Sequence, residues 1–155
     1  MKGNDQVIAC LNSLLADELT AINQYIVHSE MCANWRYEKL ADVIEKRAIT
    51  EMKHAEKHIE RIIFLEGRPV VSNLNKINIG GEVLAMLNND REAEFTAITN
   101  YNVGIKLCEG QGDFATRDIL QGILADEESH IDWIEAQLDE VSQVGFQLYL
   151  MEQTD

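Results

Sequence analysis

Six residues of this 155-residue chain combine the types and spacing that metal chemistry needs: Glu18, Glu51, His54, Glu94, Glu127 and His130. Glu51 and His54 stand in Glu-x-x-His order, as do Glu127 and His130. On a helix, side chains three residues apart share a face, so both members of each pair can reach one metal ion. A lone Glu on each of two helices, with Glu-x-x-His on each of two others, is the donor set of a dinuclear carboxylate centre. Oxygen and nitrogen donors suit iron, manganese or zinc, and the spacing does not choose among them.

All six fall on apolar stripes. Leu11, Leu15, Glu18, Ile22 and Tyr25 step by four and three. Leu40, Ile44, Glu51, His54, His58, Ile62 and Leu65 line a second stripe. Glu94 lies between Leu87 and Ile98, and Glu127 with His130 lies between Ile123 and Ile134. Carboxylates buried in this way repel one another, and each costs several kcal/mol if ionised without a partner. No Lys or Arg reads as facing inward beside them, so two divalent cations are the expected remedy.

The elements that must hold these stations read as long helices. The chain has 1 Pro and 9 Gly, too few for the turns of a strand-rich fold. Apolar periodicity predicts helices over about 5–35, 38–66, 82–109 and 114–142, with Asp113 as an N-cap and a short terminal helix in FQLYLMEQ. Gly67 and Pro69 stop the second helix, and residues 67–81 form the one long connection. Two short turns and one long connection predict an all-α four-helix bundle with a single crossover, the ferritin-like arrangement, as one domain over 1–155.

An internal repeat supports two hairpins related by a pseudo-twofold axis. Shifted by 76 positions, ELTAINQY at 18–25 overlies EFTAITNY at 94–101 with five of eight residues identical. The same shift places Glu51 on Glu127 and His54 on His130, and the interval from lone Glu to Glu-x-x-His is 33 residues in both halves.

Composition narrows the partners. The formal charge is −14, which disfavours nucleic acid or an anionic membrane and favours cations. Cys10, Cys32 and Cys108 form no CxxC pair, so neither a disulfide framework nor a thiolate zinc site is expected, and a reducing cytoplasm is. The polar start MKGNDQVIACLNSLL does not read as a signal peptide, and no apolar run approaches a membrane span.

The chain resembles the bacterioferritins, the haem-containing ferritins, over nearly its whole length. The matching stretches are MKG, ELTAINQY at 18–25, EMKHAE at 51–56, IERIIFLEG at 59–67 and DEESHIDWIEAQLD at 126–139. The resemblance implies a di-iron centre that oxidises Fe²⁺ with O2 or H2O2, acting as a ferroxidase. Glu18 and His54 would hold one iron, Glu94 and His130 the other, and Glu51 and Glu127 would bridge them. It also implies a hollow shell of 24 subunits that stores ferric mineral. Met52 lies about 100° round the helix from the metal face, where a thioether ordinarily packs another protein surface. The resemblance instead makes it the axial ligand of haem b, one per subunit pair, in a pocket with Ile22, Asn23, Ile26 and Ile49. The haem would pass electrons inward to release iron, from a ferredoxin partner. For Tyr25 a hydrogen bond to a ligand carboxylate, electron donation and an ordinary core tyrosine all stay open, and His58 is expected to be a hydrogen-bonded core histidine. Lys46 and Thr50 stand where some relatives carry His and Asp as accessory iron ligands. A non-catalytic cage and a di-iron oxygenase on the same bundle are the competing readings.

Overall fold

A computed structural model describes residues 1–155 and shows five helices and no strand. They are α1 (Asp5–Asn34), α2 (Glu38–Phe64), α3 (Val83–Gly110), α4 (Phe114–Val144) and α5 (Phe146–Glu152). The four long ones have 27 to 31 residues, so each is roughly 40–46 Å long. α1 packs along α2 and α3 along α4, and α1 also faces α3. This is the four-helix bundle with one crossover and a short fifth helix that the periodicity predicts. No helix is long and apolar enough to cross a membrane.

The helix ends have local causes. The Asn4 side chain accepts from the Gln6 and Val7 amides at 2.8 and 3.3 Å and caps α1. Asp113 accepts from the Thr116 amide at 3.0 Å and caps α4. At the end of α2 the left-handed residue is Glu66 (φ 62°), not Gly67. Gly67 closes the turn by donating its amide to Ile62 O at 2.9 Å. It serves for its size, because a Cβ there would lie 2.7 Å from Ile8 Cγ2.

The crossover has no regular secondary structure, and side chains of α1 hold it as a strap. Asn12 accepts from Val70 N, Thr20 from Asn75 N, Gln24 from Asn78 N and His28 from Gly80 N, at 2.8, 2.8, 3.1 and 3.0 Å. Gln24 and His28 also contact Asp90 of α3 at 2.8 and 2.9 Å. These buried polar groups give partners to backbone that would otherwise be left unpaired. The apolar core has two clusters. One holds Leu11, Leu15, Ile62 and Leu120, the other Leu40, Ile44, Met86, Leu87 and Tyr149 of α5. Along α1, α2 and α3, a polar band lies between the stretches that feed the two.

Candidate metal centre

That band contains all six candidate ligands. Each comes from mid-helix on α1, α2, α3 or α4, and none is more than 9% exposed. Glu18, Glu51, His54 and Glu127 each offer one ligand atom, all within 4.8 Å of one another. Glu51, Glu94 and His130 form a second set on the same criterion, sharing Glu51 with the first. His54 Nδ1 lies 3.0 Å from Glu51 Oε2, 3.0 Å from Glu127 Oε1 and 3.6 Å from Glu18 Oε1. His130 Nδ1 lies 2.6 Å from Glu94 Oε1.

The pseudo-twofold extends to the groups behind the candidate ligands. Tyr25 donates its hydroxyl to Glu94, and Tyr101, its counterpart in the repeat, donates to Glu18. Each hairpin thus orients a buried carboxylate of the other. Tyr25 also meets the His130 ring edge-on at 5.5 Å. His58 is fully buried, and its Nε2 lies 2.6 Å from the Tyr101 hydroxyl. It is a hydrogen-bonded core histidine, and burial first, then the neighbouring His54 and Lys57 charges, hold it down to about 3.

Two residues of the band escape the sequence reading. The guanidinium of Arg47 enters it, contrary to the expectation that no cation faces inward. Its Nε lies 2.7 Å from Glu51 Oε1, and its Nη2 lies 3.1 Å from Glu127 Oε1 and 3.8 Å from Glu94 Oε2. The signal was available, since 44, 47, 51 and 54 follow one stripe. Asp126 is the other, with Oδ2 2.9 Å from His54 Nε2. It fixes the ring so that Nδ1 faces the carboxylates, the usual outer partner of a metal-ligating histidine.

Electrostatics also differ from four bare carboxylates. Burial raises Glu18 well above the usual range, and repulsion from Glu51 adds to it. Burial raises Glu127 as well; Glu94 and Glu51 push the same way against a hydrogen bond from His54, leaving it at about 11. Burial opposes charge on Glu51 too, but hydrogen bonds with His54 and Glu18 and the charge on Arg47 bring it down to about 2. Burial opposes charge on Glu94 most strongly, but the hydrogen bond and charge of His130 and a hydrogen bond from Glu127 together bring it below the usual range. Burial would lower His54, yet its bonds to Glu127, Glu18 and Glu51 push it up to about 12. Without metal, protons and Arg47 therefore carry the countercharge that divalent cations were expected to supply. The match is incomplete. Glu51 Oε1 and Glu94 Oε2 are buried with no hydrogen bond, because the 2.7 Å contact of Arg47 with Glu51 is too poorly aligned to be one. Unpaired lone pairs of oxygen donors beside imidazole nitrogens suit a divalent metal.

A cavity of about 170 Å³ connects the band with the surface between α1, α3 and the strap. It is lined by Asp17, Glu18, Gln24, Lys76, Glu94 and Glu127, among others. Met52 lies away from the band, 44% exposed, on the same helix as exposed Ile49; Ile26 of α1 is exposed too. Ile22 instead packs against the inner core. Thr50 bonds the Lys46 carbonyl at 3.1 Å.

Comparison with known proteins gives consistent matches. A family described as the ferritin-like domain matches residues 8–144. The chain is 39% identical over 149 residues to the bacterioferritin of Brucella melitensis, covering 96% of this chain and 92% of that one. It is 40% identical over 150 residues to the bacterioferritin of Streptomyces coelicolor, with 97% and 90% covered. To the bacterial ferritin of Synechocystis sp. it is 42% identical over 154 residues, with 99% of each covered.

Proposed function

The chain belongs to the ferritin-like family and, within it, to the bacterioferritins, and on that premise we propose that it stores iron and oxidises Fe²⁺ at the buried carboxylate–histidine band. The observation that carries the oxidation step is the convergence of Glu18, Glu51, His54 and Glu127 within 4.8 Å, beside Glu94 and His130. Iron is the substrate. Fe²⁺ enters through the cavity lined by Asp17, Glu18 and Glu94, drawn by acidic groups. His54 presents Nδ1 with Asp126 behind it at Nε2, and His130 presents Nδ1 directly to Glu94. Glu51 belongs to both ligand sets, the position of a bridge, and Glu127 closes the first.

Ligands bind metal only when deprotonated, so the protons held on His54 and Glu127 leave as Fe²⁺ arrives. Tyr101 and Tyr25 keep Glu18 and Glu94 aimed inward as the charge changes. Each Fe²⁺ gives one electron to O2 or H2O2, and the Fe³⁺ product passes to mineral inside a shell of 24 copies. The exposed Met52 thioether, on the same helix as exposed Ile49, would hold haem b together with the Met52 of a second copy. Bound there, it supplies one-electron transfer for iron release.

Aerobic addition of Fe²⁺, followed by ferric absorbance, tests the oxidation. Glu18→Ala or His130→Ala is expected to abolish the fast phase. Unchanged kinetics in both would leave a cage that only binds iron. For the haem, Met52→Leu is expected to lose the bis-methionine visible spectrum, and normal haem binding by that variant refutes the assignment.

A further inference from the structure

Arg47 breaks the twofold likeness of the centre. Under the 76-residue shift its counterpart is Ile123, a fully buried apolar residue. The guanidinium touches Glu51, Glu127 and Glu94, and no contact with Glu18 is present. Its shortest contacts, 2.7 and 3.1 Å, are to Glu51 and Glu127 between the two halves, and of the two lone glutamates it reaches Glu94, at 3.8 Å, and not Glu18. A second asymmetry points the same way. His54 has Asp126 behind its ring, whereas the counterpart of Asp126 is Thr50, which bonds its own helix backbone. The His130 ring has a hydrogen bond to Glu94 alone.

One half is thus preformed: Glu18, Glu51, His54 and Glu127 converge with their imidazole oriented. The other half, Glu94 and His130, is partly filled by a cation that cannot lose its charge. Two divalent ions match four carboxylates without Arg47; with Arg47 in place, the second ion brings excess positive charge into a buried site. Arg47 has a way out. Its side chain is 11% exposed, and its Nη1 already reaches the Asp126 carbonyl at 3.4 Å, beside a half-exposed carboxylate. A long flexible stem lets the head swing toward water without moving the helix.

We infer that Arg47 makes the two metal positions unequal and sets the order of loading: the Glu18–His54 half takes the first divalent cation, and the Glu94–His130 half takes the second only as the guanidinium is displaced. This rests on the reading of the band as a dinuclear metal centre. Competition by a bound cation lowers the apparent affinity of the second position most, because there it also meets Glu94; the first position shares Glu51 and Glu127 with the guanidinium but keeps Glu18 and His54 free of it.

The test is a Co²⁺ titration of the metal-free, assembled full chain, read by calorimetry and by the visible absorbance of Co²⁺. The wild type is expected to bind two ions per chain in two resolved steps. Arg47→Leu is expected to tighten the second step about tenfold or more, and to change the first by less than about threefold. Arg47→Gln is neutral and of similar shape; it gives the same shift and substitutes should the leucine variant fail to assemble. Arg47→Lys keeps a charge and keeps the two steps. A wild type that stops at one ion, while the neutral variants take two, is the strong form of the same result. Two equal steps in the wild type overturn the inference, as does an equal shift of both steps in the neutral variants. A wild type that binds no Co²⁺ overturns the dinuclear reading itself, a distinct outcome.

Discussion

Loading the metal-free protein with Zn²⁺ at pH 7 should expel protons, in a number that follows from the structure. His54 at about 12 and Glu127 at about 11 both hold a proton at that pH. Neither can ligate in that form, so about two protons per chain leave when both become ligands, and about three if Glu18, driven in the same direction, holds one too. Release is measured with an indicator dye in weak buffer, or by calorimetry in buffers of different ionisation enthalpy. Glu127→Gln should reduce the count by about one. The same protons fix a trend in stability. His54 and Glu127 are both raised above their unfolded values near 6.5 and 4.5. Their contribution is therefore complete below those values and is lost as pH rises toward 12 and 11. Glu51, held down to about 2, contributes above about 4.5 and loses that contribution only in strong acid, so it does not offset the trend. Each extra proton on the folded chain changes stability by about 1.4 kcal/mol per pH unit. The melting temperature of the metal-free protein should accordingly fall between pH 6.5 and 9, and Zn²⁺ should flatten that fall. Metal binding without proton release, or a metal-free protein that gains stability over this range, refutes the charge balance derived for the band.

Three further outcomes follow from particular contacts. Asp126→Asn replaces the carboxylate behind His54 and should weaken the first Co²⁺ step about tenfold while sparing the second; loss of such an outer partner costs 10–100-fold, and the half exposure of Asp126 places it at the lower end. Tyr101→Phe leaves a buried His58 nitrogen and a Glu18 oxygen without their partner, so chemical denaturation should show a loss of about 1–3 kcal/mol; an unchanged midpoint would mean the hydroxyl carries no load. Gly80→Ala would place a Cβ 2.4 Å from Met86 N and 2.8 Å from Ala85 C, against backbone that cannot yield, and should cost about 1–3 kcal/mol with faster proteolysis of the strap; a melting curve matching wild type would contradict that crowding.

The inward register of the six candidate ligands, the four long helices and the 76-residue repeat were legible because each is local. A rise of 1.5 Å and a turn of 100° per residue place Glu51 beside His54, and Glu127 beside His130, whatever the rest of the chain does. Asp113 as a cap was legible for the same reason, and so was the hydrogen-bonded character of His58, which sits on the core stripe. The direction of Arg47 was not. Its position at 47 falls on the inward stripe, but a long charged side chain usually turns to water, and only carboxylates from two other helices draw it in. The α1 side chains that hold the strap were hidden likewise, since Asn12, Thr20, Gln24 and His28 meet partners 52 to 58 residues away. The role of Gly67 was hidden too: the left-handed turn falls on Glu66, and glycine is needed at 67 because Ile8, remote in sequence, leaves no room there for a side chain. The protonation of the band is decided the same way. Helical periodicity aims a carboxylate at the core, but the charge it carries there depends on how near the other helices bring their own acids, imidazoles and guanidinium, and those distances exist only once the bundle has packed.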